Sequence, residues 1–291
     1  MVSSPQTPAL TPAPARESIG AALRFVRSHW QTIAMAAGAV ALAQAAAMLL
    51  TGPSLVWMVV LIAGFAVTYA LYLNAALGAA DPRQGLAGHA GRLVLGMGMI
   101  GVFAFIVMLM VIFVAMYVLI APYSAEIAAA GENEAAVRAI MERALAAQPN
   151  VFLISLTAGM ALLFVLTTRF YFAAPSTIDR RRVTVFDSWR MTRGSFVRIL
   201  TSRIVLLGPA LILVGALQSL AAMLLGAPSD PASLIAYGQT NRVGFALFYA
   251  SAIFLQLAIF SALEAGLSAN LYRALKPTDA PPVARGSTDS R

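Results

Sequence analysis

Apolar residues in this chain gather into six long blocks, near 31–50, 55–77, 93–120, 151–174, 204–225 and 243–263, with short polar stretches between them. Each block reaches the roughly 20 residues a helix needs to cross the hydrocarbon of a bilayer. The alternation of membrane β-strands is missing, and backbone groups in lipid must be bonded internally. The pattern therefore predicts an all-α polytopic membrane protein with six transmembrane helices. The third block is the longest, which implies tilt or a helix that continues beyond the bilayer.

The polar stretches are patterned too. Residues 17–30 place Ile19, Leu23, Val26 and Trp30 near one helical face, with Arg24 and Arg27 elsewhere. Residues 185–198 set Val185, Phe186, Trp189 and Phe196 beside Arg190, Arg193 and Arg198. Both read as basic interfacial helices leading into a span. At a constant offset, Arg24 aligns with Arg190, Arg27 with Arg193, Trp30 with Phe196 and Ile33 with Ile199. The stretch 85–92 is Gly-rich and lacks the pattern. Tyr72, Tyr171 and Tyr272 end the even-numbered blocks alike. Two readings stay open: three helical hairpins of shared ancestry, or the general gathering of Arg and aromatic residues at an inner interface. The connection 121–150 predicts a helix, with an apolar stripe at Val137, Ile140, Met141, Ala144 and Leu145 and charges at Glu134, Arg138 and Glu142. That helix lies on the outer leaflet or caps a cavity between spans.

Composition agrees with the spans. Only 11% of residues are charged and 60% are hydrophobic, against about 25% charged in an ordinary soluble domain. The net charge of +8 comes almost wholly from arginine. With the N-terminus inside, only Arg138, Arg143 and Arg242 of the 20 lysines and arginines fall outside. Arg169 snorkels from the inner end of the fourth block. The distribution predicts cytoplasmic termini and an even number of spans. Segments 1–15 and 277–291 read as disordered tails around a membrane domain at 16–276. Ala43-Gln44-Ala45 mimics a signal cleavage site, but it lies inside an apolar run too long for a signal peptide.

Candidate chemistry is sparse. No cysteine is present, which excludes disulfides and thiol catalysis. His29 and His89 are the only histidines, and neither has carboxylates at metal-ligand spacing. No nucleophile elbow and no phosphate loop occurs, so no catalytic residue, cofactor or metal site is assigned. Asp81, Asp179 and Asp187 have no partner at a telling spacing. Glu264 is the only acid within or beside a span, and an intramembrane acid is a functional candidate by default. Its expected partners are Arg273 or the arginines before the fifth block. Gln256 and Asn270 complete a candidate intramembrane polar site, while Gln44, Asn74 and Gln218 read as interhelical bonding groups. Ala37, Ala41 and Ala45, and Ser261, Ala265 and Ala269, form small-residue ladders for close helix approach. Arg180, Arg181, Arg182, Arg190, Arg193 and Arg198 are the candidate contacts for anionic phospholipid headgroups. The lipid bilayer is thus the expected partner, and nucleic acid is not, because no soluble domain presents the charges.

Ala174-Pro175-Ser176-Thr177-Ile178-Asp179, followed by Ser188-Trp189-Arg190-Met191-Thr192-Arg193-Gly194-Ser195-Phe196, resembles a signature of bacterial polytopic proteins. These proteins are related to the membrane domain of glycerophosphoryl diester phosphodiesterase. Ala22-Leu23-Arg24-Phe25-Val26-Arg27 and Leu271-Tyr272-Arg273-Ala274-Leu275 are similar to that family as well. The resemblance implies a helical membrane domain. The phosphodiesterase catalytic domain is absent from this chain, so its activity is not carried over. Three functions are in contest: a non-enzymatic inner-membrane protein that organises lipids or membrane partners, a small transporter or channel using Glu264, and a lipid-modifying enzyme.

Overall fold

The structure, a computed structural model, describes residues 15–276 except Ser229. The two expected tails lie outside the described residues, apart from Ala15. Among the described residues there is no strand. The helices are α1 (Ala15–Thr51), α2 (Leu55–Ala76), α3 (Leu86–Ile120), α4 (Ser124–Ala130), α5 (Glu134–Ala147), α6 (Pro149–Arg169), α7 (Ala173–Arg180), α8 (Val185–Thr192), α9 (Phe196–Leu225), α10 (Pro231–Thr240), α11 (Arg242–Leu255) and α12 (Ala262–Leu275). A 3-10 turn, Ala121–Tyr123, joins α3 to α4, and a π-helical turn, Gln256–Ser261, joins α11 to α12. Six helical stretches are long and apolar enough to span a bilayer, and each matches one apolar block. The chain is a multi-pass α-helical membrane protein. Large apolar side chains such as Leu95, Phe105 and Phe113 on α3 and Ile212 on α9 stay exposed, as suits a helix surface solvated by lipid.

The packed centre is formed by α1, α2, α9 and the sixth span (α11, the π turn and α12). We call the end where α1 begins and α12 ends the terminal face. Small residues set how close these helices come. A Cβ on Gly266 would lie 3.1 Å from Ala22 Cα and 3.0 Å from Phe25 Cδ1, so α12 rests on the backbone of α1. Ser261, Ala265 and Ala269 are buried in the same contact zone, so that ladder serves packing within the chain. Gly266→Val should cost about 1–3 kcal/mol through overpacking, read as a lower unfolding midpoint in detergent. Gly38→Ala, with open space around its Cβ, should leave the midpoint unchanged.

The structure bears on several sequence expectations. On the helix expected over 17–30, Ile19 and Val26 pack partly on the core and Leu23 and Trp30 are left to meet lipid. Ser18 and Ala22 are buried there, because Ala22 is the residue small enough to meet α12. The entry helix does turn into the first span: the two meet within α1 at a kink, where His29 is non-helical (φ −115, ψ 16). Ser28 Oγ donates to Phe25 O at 3.0 Å and His29 Nδ1 lies 3.1 Å from the same oxygen, so side chains compete for the helical ladder there. The fourth block does not run unbroken to residue 174. It stops at Arg169, and α7 starts anew at Ala173. The helix expected over 185–198 is two helices, split where Gly194 takes φ 88. Ser195 has φ −117 and ψ 8, nearly the His29 geometry, and it is the residue that aligns with His29 at the offset relating Arg24 to Arg190. The three tyrosines are buried inside the protein, where interfacial anchors would face the membrane surface. The connection 121–150 does contain the expected helix, α5. It packs on α3, α4 and α6 through Ile140 and Ala144, so it caps that pair of spans and leaves the central bundle uncovered.

Candidate functional site

Two polar assemblies lie toward the terminal face. The first grows from the chain break between α6 and α7. Ending a helix leaves backbone groups without partners, and here a neighbouring helix supplies them. Ser188 Oγ accepts from Phe172 N at 2.9 Å and donates to Arg169 O at 3.0 Å. Thr192, one turn on, donates to Trp189 O at 3.0 Å and lies 3.4 Å from Arg169 O. Thr184 Oγ1 is 2.6 Å from Ser176 Oγ, and Thr184 N donates to Thr177 Oγ1 at 3.3 Å. All five hydroxyl side chains are buried. They clip α8 onto α7 in a fixed orientation.

That orientation decides what α8 shows. Val185, Ser188 and Thr192 face inward. Phe186 is 74% exposed and Trp189 44% exposed, and the Arg190 side chain is 83% exposed. Arg169 leans out from the end of α6, its guanidinium 5.5 Å from the Trp189 ring centre and 4.5 Å from that of Phe196. Asp187 holds the surrounding arginines: Arg180 at 2.8 Å, Arg190 at 3.8 Å and Arg182 at 3.9 Å. Arg181 caps α7 in the left-handed region (φ 52). Arg193 lies at the end of α8 and is exposed, and Arg198 is half-buried in the first turn of α9. Arg180, Arg182 and Arg190 thus form one rim around Asp187, which offsets part of their charge, and Arg181, Arg193 and Arg198 follow close by in the chain.

The second assembly is internal. Arg203, 7% exposed, projects from α9. It donates to Thr168 Oγ1 at 2.6 Å and lies between the rings of Phe164 (4.6 Å) and Tyr171 (4.7 Å). Glu264 of α12 is within electrostatic reach of Arg203, Tyr69 and Tyr171. Its carboxylate is enclosed by protein, although the residue as a whole is only half-buried. No direct ion pair joins it to Arg203 among the described residues. Arg203 Nε and Tyr171 Oη are buried with no hydrogen-bond partner. Of the partners expected for Glu264, an arginine beside the fifth span is the one nearby. Arg273 lies elsewhere, against Gly78.

The structure separates the other sequence candidates. Gln256 falls on the first residue of the π turn, eight positions before Glu264. Asn270 is six residues beyond Glu264 on α12, turned to another side of the helix by its 3.6-residue period. Asp179 has partners after all: Tyr272 Oη donates to it at 2.8 Å and Lys276 Nζ at 2.7 Å. Asn74 donates to Pro82 O and meets His89 Nδ1 at 3.1 Å, which secures the turn before α3. Gln44 is buried with neither amide atom bonded. Among the described residues no group of three or more His, Asp or Glu could hold a metal ion. By sequence alone Arg203 is one more inner-face cation. The signal for its true place is its register: Ile199, Arg203, Leu206 and Leu207 fall on one face of α9, and all are buried.

No protein-family model, characterised protein or solved structure matches this chain.

Proposed function

We propose that this chain is a non-enzymatic protein of a bacterial cytoplasmic membrane, with both termini in the cytoplasm, that organises anionic phospholipids at its terminal face. One observation carries the reading. The buried hydroxyls of α8 fix the helix so that Phe186, Trp189 and Arg190 point outward together, beside Arg182 and Arg193. Aromatic side chains at headgroup depth, flanked by arginines, are the chemistry of an anionic interface. The imbalance of arginines between the two faces supports a cytoplasmic rim. The motif at 174–196 supports the bacterial setting, through its resemblance to polytopic proteins of that source.

The test is native mass spectrometry of the purified protein with phosphatidylglycerol and phosphatidylcholine in competition. Each cation near the surface contributes roughly 1 kcal/mol. Arg182→Gln with Arg190→Gln should therefore reduce phosphatidylglycerol binding about 30-fold, with phosphatidylcholine unaffected. Both residues are exposed and loosely held, so the fold should tolerate the change. Equal phosphatidylglycerol binding by the variant would remove the rim from consideration.

A further inference from the structure

The turn between α7 and α8 brings three guanidiniums to one carboxylate. Buried Thr184 bonds to Ser176 and Thr177, which fixes the start of α8 against α7. Asp187 therefore meets Arg180 across the turn at 2.8 Å. Arg182 approaches the same oxygen, Oδ2, at 3.9 Å, and Arg190, one turn along α8, approaches Oδ1 at 3.8 Å. Only the first contact is a hydrogen bond, since N–H···O pairs close at about 2.7–3.2 Å. Arg182 and Arg190 are exposed, and their side chains make no hydrogen bond among the described residues. Three positive charges against one negative leave two uncompensated. Asp179, in electrostatic reach of Arg180, brings its own cation, Lys276 at 2.7 Å, and leaves that balance unchanged. Asp187 thus holds three like charges together while two of the guanidiniums keep their donors free.

We propose that this cluster is a seat for a lipid headgroup that ends in a phosphate monoester, of the phosphatidic acid class, and that the protein selects such lipids over phosphodiester lipids. The inference rests on the rim being a lipid surface and adds which headgroup it prefers. A phosphate monoester carries about −1.5 to −2 charge at pH 7 and three acceptor oxygens. That matches the two spare charges and the free donors. A diester headgroup offers a single charge and two unsubstituted oxygens, so it answers half of the excess. Arginine suits the task, because its planar fork bonds two phosphate oxygens at once. Lipid is the source of the phosphate, because Phe186 and Trp189 project outward from the same short helix and set the seat at headgroup depth.

The full-length protein is offered equimolar phosphatidic acid and phosphatidylglycerol, and the bound lipids are counted by native mass spectrometry. Wild type should prefer phosphatidic acid about tenfold, the share of roughly one further cation contact. The preference should grow from about pH 5.5 to about pH 8, as the monoester loses its second proton near pH 6. The histidines lose positive charge over that range, which weakens anion binding, so their effect has the opposite sign. Arg182→Gln with Arg190→Gln should bring the ratio to about one. Arg24→Gln with Arg27→Gln, an equal change of charge at exposed positions of the entry helix, should leave the preference intact. Glycerol 3-phosphate in excess, the same monoester without acyl chains, should not displace the lipid. A wild-type ratio near one with phosphatidylglycerol still bound overturns the seat and leaves the rim standing, whereas binding of neither lipid overturns both. A preference that survives in the Arg182 and Arg190 variant overturns the seat too. So does its loss in the Arg24 and Arg27 variant, where net charge alone would be selecting, and so does displacement by glycerol 3-phosphate, where the occupant would be a soluble phosphate.

Discussion

Arg203→Ala should be among the most destabilising single substitutions in the protein, costing about 3–5 kcal/mol through a lost charge-assisted hydrogen bond and two lost cation–π contacts in a desolvated site. Three losses coincide. Thr168 loses its 2.6 Å donor. The rings of Phe164 and Tyr171 lose the guanidinium between them. Glu264 loses the positive charge of Arg203, which reaches it from a neighbouring helix. Arg203→Lys should recover only part, because an ammonium keeps the charge but not the planar fork that lies between two rings. Unfolding in mixed micelles, followed by circular dichroism, measures each variant. The informative variant is the pair Arg203→Met with Glu264→Gln, which removes both charges at similar volume and should be more stable than Arg203→Met alone. If the double variant is no better than the single one, the two charges are not coupled. If Arg203→Ala stays within about 1 kcal/mol of wild type, the residue is not the tie between α6, α9 and α12.

Much of the architecture is legible from residue type alone, for a physical reason. In a bilayer the solvent itself demands about 20 apolar residues per span, so six blocks correspond to six spans with little ambiguity. The internal assembly is harder to read. Glu264 stands out because acids are rare at that depth, but Arg203 is hidden among the arginines that any terminal face collects. Telling the two kinds of arginine apart requires knowing which side of α9 meets α6, and that depends on tertiary packing. The break at Arg169 is obscured for a related reason. Tyr171, Phe172, Ala173 and Ala174 are apolar enough to continue a span, and what stops the helix is a hydroxyl from Ser188, sixteen residues or more away.

Ser188→Ala should be the next most damaging change, and Thr192→Val should be mild although both hydroxyls approach the same carbonyl. Ser188 serves two buried backbone groups at once, Phe172 N and Arg169 O. Removing it leaves Phe172 N bare and Arg169 O with only the long 3.4 Å contact to Thr192, at about 1–3 kcal/mol for each group. Thr192 has one proton to give and a closer acceptor in Trp189 O at 3.0 Å, so Arg169 O loses little when it goes, and the cost should stay below about 1 kcal/mol. Trp189 reports the difference directly, since its ring packs against Phe170 with centres 5.6 Å apart and under Arg169. With Trp30 and Trp57 replaced by Phe, the emission of Trp189 should shift to the red in Ser188→Ala as α8 comes away, and should hold in Thr192→Val. The rim follows from the same geometry. Its arginines act together only while α8 is clipped in place, so Ser188→Ala should weaken phosphatidylglycerol binding without altering any charge. If α8 is released and the lipid still binds as before, the headgroups are held by loose cations, and the ordered face of α8 contributes nothing.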